Sequence, residues 1–76
     1  MDKRFDEIVA AQLDLPADEL SDDLGPRTLA SWTSLKHIQL VAAIEDEFGV
    51  KLVAREIRSI RTVGDLRRIV AGKDAA

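Results

Sequence analysis

The 76-residue chain has no cysteine and no tyrosine, and only one histidine, one tryptophan and two phenylalanines. Without cysteine there is no disulfide and no thiolate chemistry, which fits a reducing compartment. One histidine, with no cysteine or tyrosine beside it, leaves little from which to build an active site, and no catalytic residue is assigned. Long apolar runs are also missing. None approaches the roughly 20 residues needed to span a bilayer, and Met1-Asp2-Lys3-Arg4 does not lead into a signal-peptide core. A cytoplasmic protein with no membrane association is therefore expected. Positive charge is not in excess either, for the net charge is −3. A nucleic-acid binder usually shows a dominant basic face. The acidic total argues against that use of Arg55, Arg58, Arg61, Arg67 and Arg68, and no nucleic-acid partner is expected. Internal repeats and low-complexity segments are absent.

What is present suits one small helical domain over residues 1–76, near the size at which a single core barely suffices. The composition is 46% hydrophobic and 33% charged. Charge is unevenly divided: residues 1–38 carry four basic and eight acidic side chains, residues 39–76 seven basic and six acidic. Phe5, Ile8, Val9, Gln12 and Leu13 form one stripe at a 3.6-residue period and predict a first helix, capped by Asp2 and ended by Pro16. A long connection follows, from about Asp14 to Trp32. Leu15, Leu20, Leu24, Leu29 and Trp32 are expected to pin it across the helices, with Gly25-Pro26 as a turn and room for one short helical turn.

The second helix is predicted over 34–48 with Gly49 as its stop, and a short third over 54–59. Thr62 and Asp65 form a short capping box for the last helix, whose apolar face is Val63, Leu66, Ile69 and Val70. Residues 72–76 read as a frayed tail. The fold class is thus all-α: four helices, a short third, and a long loop between the first two.

The second helix has two apolar sides. At about 100° per residue, His37, Leu40, Val41, Ala43, Ile44 and Phe48 cluster on one broad side, while Leu35, Ile38 and Ala42 fall roughly opposite. A surface helix ordinarily has one apolar stripe. The larger stripe reads as core; the smaller is either covered by the long connection or exposed to a partner. His37 lies toward the core side and reads as a packing or hydrogen-bonding residue, and Trp32 as an anchor of the connection. Arg55, Arg58 and Arg61 are either a solvated face or a docking surface. Glu45-Asp46-Glu47 is no metal site, because consecutive helical residues diverge by about 100° and cannot face one ion.

Ser34 opens this second helix. By itself it is an ordinary helix-start residue, yet its oxygen lies beside unpaired backbone N–H groups that favour an attached phosphate. Trp32-Thr33-Ser34-Leu35 is followed by His37, Leu40, Ile44, Glu45, Phe48 and Val50. This resembles the "D-S-L" site and helix of the acyl and peptidyl carrier proteins. Arg61-Thr62-Val63-Gly64-Asp65-Leu66 is similar to the "T-V-x-D-L" opening of that family's last helix, and Leu15-Pro16-Ala17-Asp18-Glu19-Leu20 to its usual connection after helix one. The resemblance runs from Phe5 to Val70. Ser21, Ser31 and Ser59 are not followed by the same pattern.

The resemblance implies an acyl-carrier-protein-like four-helix bundle and a 4'-phosphopantetheine arm on Ser34, transferred from coenzyme A by a separate magnesium-dependent phosphopantetheinyl transferase. It implies a carrier rather than an enzyme, a monomer that holds acyl or aminoacyl groups as thioesters for loading and processing enzymes. Two departures stand out. Position 33 is Thr where the family nearly always has Asp, and the first turns of the second helix carry Lys36, His37 and Gln39 where fatty-acid carriers are acidic. The second departure, with Arg55, Arg58, Arg61 and Trp32, leans toward a dedicated carrier of a polyketide, nonribosomal peptide or related pathway. A start at Met1 just before helix one and a stop soon after helix four lead to the expectation of a free-standing one. Thr33, Leu35, Lys36, Ile38, Gln39, Ala42 and Arg55 are the expected partner-docking residues. The alternative is a carrier-like scaffold that is never modified.

Overall fold

A computed structural model describes residues 3–75, and among them the fold is all-helical. Helices α1 (Lys3–Leu13), α2 (Ser34–Phe48), α3 (Ala54–Ser59) and α4 (Val63–Ala75) follow the expected order, with the long connection between α1 and α2. The proposed cap at Asp2 lies outside the described residues. The bounds of α2 and α3 coincide with those read from the sequence.

Helices α1 and α2 end in the same way. Gly49 adopts the left-handed conformation (φ 65°) after α2, and the Val50 N–H donates to the Glu45 carbonyl at 3.2 Å. After α1 the left-handed residue is Asp14 (φ 61°), and the Leu15 N–H reaches the Ala10 carbonyl at 2.9 Å. Both are Schellman closures, which satisfy carbonyls that the helix leaves unpaired. Asp14, rather than Pro16, therefore ends α1, because a carboxylate residue tolerates this backbone better than most. At the other end of the chain, α4 continues through Gly72 to Ala75, where a frayed tail was expected. The Lys73 ammonium, 3.0 Å from the Glu56 carboxylate, ties that last turn to α3.

The core is drawn from every segment but rests chiefly on three helices. Phe5, Val9 and Leu13 of α1 meet Leu40, Val41 and Ile44 of α2 and Val63, Leu66 and Val70 of α4. Leu52 and Ile60 flank α3 and close one end, while α3 itself contributes only the half-buried Ile57. Trp32 is buried with them, and Leu15, Leu20, Leu24 and Leu29 pack against the cluster from the connection.

The connection is held by more than its leucines. One short 3-10 turn forms at Ala17–Glu19. Further on, the carbonyls of Leu24 and Asp22 accept from the N–H groups of Val63 and Gly64 at 2.8 and 3.0 Å. The loop thus caps the first turn of α4. Thr62 Oγ1 accepts from the Asp65 N–H at 3.2 Å, and the Asp65 carboxylate reaches back to the Arg61 N–H at 2.9 Å, one residue before the cap. Arg67 clamps the layers together, bonding Asp6 of α1 at 2.8 Å and Asp22 of the connection at 3.1 Å over the face of Phe5. Burial opposes its charge, but the hydrogen bonds to Asp6 and Asp22 outweigh that and raise it further above its ordinary range. Finally, the Ser31 hydroxyl donates to the Leu13 carbonyl at 3.0 Å, so the connection enters α2 from a fixed point on α1.

Candidate functional site

Ser34 is the first residue of α2 and is exposed. Its position is set by Thr33, whose extended backbone (φ −84°, ψ 175°) and side-chain oxygen form the N-cap; Thr33 Oγ1 accepts from the Lys36 N–H at 3.2 Å. Thr therefore performs the capping task that Asp performs elsewhere, without a charge. The N–H groups of Ser34 and Leu35 belong to the first turn and have no partner within the helix. They give the serine oxygen a locally positive setting suited to a phosphodiester.

Beside Ser34 lies a shallow groove of about 490 Å³, lined by Pro26, Trp32, Thr33, Ser34, His37 and Ile38. Its floor is a hydrogen-bonded pair. Trp32 Nε1 donates to His37 Nδ1 at 3.0 Å, and the two rings stack with centroids 5.9 Å apart. His37 Nε2 lies 3.0 Å from the Ile57 carbonyl. An indole N–H can only donate and a carbonyl can only accept, so His37 is the neutral tautomer carrying its proton on Nε2. One side chain thus joins the connection, the start of α2 and α3. The sequence pointed to a packing or hydrogen-bonding role for His37 and an anchoring one for Trp32, but not to their pairing, since nothing in helical spacing specifies a partner in a loop.

The smaller apolar stripe is not covered by the connection. Leu35 and Ile38 are each 64% exposed, and Ala42 is exposed on the same face. Gln39 is also exposed. Lys36 is half-buried, with its ammonium 3.6 Å from the Asp14 carboxylate. Arg55 is exposed in the first turn of α3 and does not line the groove. Ser34, Thr33 and Ile38 are thus brought together at the groove, and Leu35 and Ala42 extend the face. One further residue belongs here, for Pro26 walls the groove; Val53, which does not line it, is another large hydrophobic left 55% exposed. Pro26 was legible only as a turn.

Among the described residues no cluster of His, Asp or Glu could hold a metal ion. Glu45 instead accepts from the Leu52 N–H at 2.7 Å, and Glu47 pairs with Arg4 at 3.0 Å. Of the arginines considered for nucleic acid, Arg67 is engaged by Asp6 and Asp22, and Arg68 by Asp65.

The family described as "Phosphopantetheine attachment site" matches residues 3–70. The chain belongs to this family of carrier proteins. Its members bear a covalently attached 4'-phosphopantetheine prosthetic group. Among curated relatives of this carrier, an "Acyl carrier protein" of Saccharopolyspora erythraea is 30% identical over 67 residues, covering 88% of this chain and 70% of the relative. "Acyl carrier protein 3, chloroplastic" of Cuphea lanceolata is 33% identical over 67 residues, again 88% of this chain but 47% of that protein. The carrier's own geometry fits such a group. An exposed hydroxyl stands at the positive end of a long helix, with no carboxylate between residues 31 and 44 and an apolar groove at its side. No helix among the described residues is long and apolar enough to cross a membrane.

Proposed function

We propose that Ser34 is the attachment point of the phosphopantetheine arm. The observation that carries this reading is the exposed Ser34 hydroxyl on a capped helix N-terminus, inside the segment that matches the family. In the modification, Ser34 Oγ bonds to the phosphorus of the pantetheine phosphate of coenzyme A and loses its proton. The phosphoanhydride bond breaks, and adenosine 3',5'-bisphosphate leaves. A separate magnesium-dependent phosphopantetheinyl transferase supplies the catalysis, and the carrier supplies a presented hydroxyl. Once attached, the arm furnishes a terminal thiol on which an acyl or aminoacyl group is held as a thioester.

The chain's own residues then present and position. Leu35, Ile38 and Ala42 form the apolar docking face, with Thr33, Lys36, Gln39 and Arg55 as its polar surroundings. Loading and processing enzymes meet a tethered substrate at high effective concentration, while a small docking area allows release. We read residues 1–76 as one carrier domain acting as a cytoplasmic monomer, with no catalytic group of its own. The cationic and neutral start of α2 favours a polyketide, nonribosomal peptide or related pathway over general fatty-acid synthesis.

Intact-mass measurement after incubation with coenzyme A, magnesium and a broad-specificity transferase tests the reading. The expected result is the gain of one phosphopantetheine by the parent chain and none by Ser34→Ala, with unchanged circular dichroism. A parent chain that gains no mass with several transferases, yet keeps its biological activity as Ser34→Ala, would be an unmodified scaffold instead.

A further inference from the structure

The face around Ser34 carries a charge pattern that helix stability does not explain. Anions are favoured near a helix N-terminus and cations near its C-terminus, by about 0.3–1 kcal/mol each. Helix α2 reverses this: Lys36 lies in its first turn, and Glu45, Asp46 and Glu47 crowd its end, about 18 Å from Ser34 at 1.5 Å per residue. Two of those acids have internal partners, Glu45 in the Leu52 N–H and Glu47 in Arg4. At the Ser34 end α2 itself carries only Lys36, which faces the Asp14 carboxylate at 3.6 Å, and the cations on the neighbouring segments have no ion pair among the described residues.

Their placement can be followed outward from the groove. Pro26 lines both the Ser34 groove and a second cleft of about 450 Å³, whose other walls are Arg27, Ile60 and Arg61. On another side, His37 Nε2 reaches the Ile57 carbonyl, and the next residue is Arg58. Arg27, Arg58 and Arg61 are all exposed. None has an ion pair within 4.0 Å among the described residues, whereas Arg67, Arg68 and Lys73 are each matched to a carboxylate. Residues 31–44 hold no acidic side chain. Guanidinium groups with no ion pair among the described residues thus line the cleft that shares Pro26 with the Ser34 groove (Arg27 and Arg61) or follow directly on the residue bonded to His37 (Arg58). Ile38 lines that groove, and Leu35 is exposed one turn away on the same helix.

We propose that the surface docking on this face is a protein with an apolar socket for Leu35 and Ile38, rimmed by carboxylates that meet Arg27, Arg58 and Arg61. The inference rests on the docking role given above to Leu35 and Ile38 and adds the chemistry of the partner. The apolar pair supplies the contact that excludes water. The arginines supply orientation and faster encounter, and reject partners with basic rims.

Two synthetic amphipathic helical peptides test it, sharing one leucine face flanked by glutamates in the first and by lysines in its twin. Each is titrated into the full-length 15N-labelled chain at low and at physiological salt. The expected result is that the glutamate peptide shifts the amides of Leu35, Ile38, Arg58 and Arg61. It should bind at least tenfold more tightly than its twin at low salt, with the advantage shrinking as salt rises. The double variant Arg58→Glu, Arg61→Glu, changed at exposed and unpaired side chains and checked by circular dichroism, should reverse the preference. A lysine peptide binding the same residues as tightly or more tightly would overturn the charge inference and leave the docking face standing. If neither peptide moves Leu35 and Ile38, the docking face itself is wrong and the inference falls with it. Neither outcome depends on modification of Ser34, which the mass measurement decides separately.

Discussion

His37 shows how a single side chain can hold a functional surface without touching its chemistry. Its ring accepts from Trp32 and donates to the Ile57 carbonyl, both at 3.0 Å, so it fixes the groove floor one turn after Ser34. His37→Leu keeps the bulk but leaves an indole N–H and a carbonyl without partners, at a cost of about 1–3 kcal/mol for the stranded groups. Trp32 is the sole tryptophan, so its fluorescence reports the change directly. The expected outcome is a lower urea midpoint and a shifted emission maximum; unchanged values would show that the bonds contribute nothing. At this scale the sequence was most informative where function is local. Ser34 and its cap Thr33 are neighbours in the chain, so the start of α2 was readable. The partners of His37 lie 5 and 20 residues away, and only the tertiary arrangement supplies them.

Helix ends were legible where one residue type dictates them. Gly49 stops α2 because its backbone is left-handed, and a β-carbon there would meet nothing within 4 Å. Gly49→Ala should therefore cost about 1 kcal/mol, from backbone conformation alone. Gly25→Ala should cost more, because its β-carbon would lie 2.0 Å from the Arg61 carbonyl oxygen, where two backbone segments must part. Equal losses in the two variants, measured by chemical denaturation, would contradict this distinction. The stop at Asp14 was not legible, since Pro16 offered a stronger local signal and aspartate enters the left-handed region only when its neighbours favour it. Nor could spacing show that Leu24 and Asp22 carbonyls cap α4, although Thr62 and Asp65 marked where that helix begins.

Two contacts at helix starts depend on pH: the Val53 N–H donates to the Glu56 carboxylate at 2.9 Å, and the Arg61 N–H to that of Asp65 at 2.9 Å. The Val53 N–H, and after it Lys73, hold the Glu56 carboxyl below its ordinary 4.5. The Arg61 N–H does the same for Asp65, outweighing a smaller opposing effect of burial and holding it below 3.8. In the unfolded chain both groups take up protons more readily. Their contribution is therefore complete above about pH 4.5 and is lost as pH falls through the lowered folded values. Thermal unfolding from pH 7 to pH 3 should show a falling midpoint, less steep in Glu56→Gln. A midpoint that rises on acidification would contradict the assignment.

At the scale of the whole molecule, the exposed face of α2 follows from how few helices there are to cover it. Residues Leu40, Val41 and Ile44 turn to α1 and α4, and the long connection is occupied in capping α4 and packing its leucines. Nothing remains to bury Leu35 and Ile38. The two-sided pattern was visible in the sequence, but which side would stay open was not, because that depends on the path of the connection. Ser34 therefore stands at the edge of an unburied apolar face on a rigid helix, the arrangement a carrier needs to present a tethered group and to be released. The most direct measurement is peptide-level mass spectrometry after reaction with coenzyme A and transferase. Trypsin frees the segment from Thr28 to Lys36, which holds Ser34 together with Thr28, Ser31 and Thr33. The expected result is one phosphopantetheine on this peptide, with fragment ions placing it on Ser34. Fragments that place it on Ser31 or Thr33, or an unmodified peptide from fully reacted protein, would contradict the assignment of Ser34.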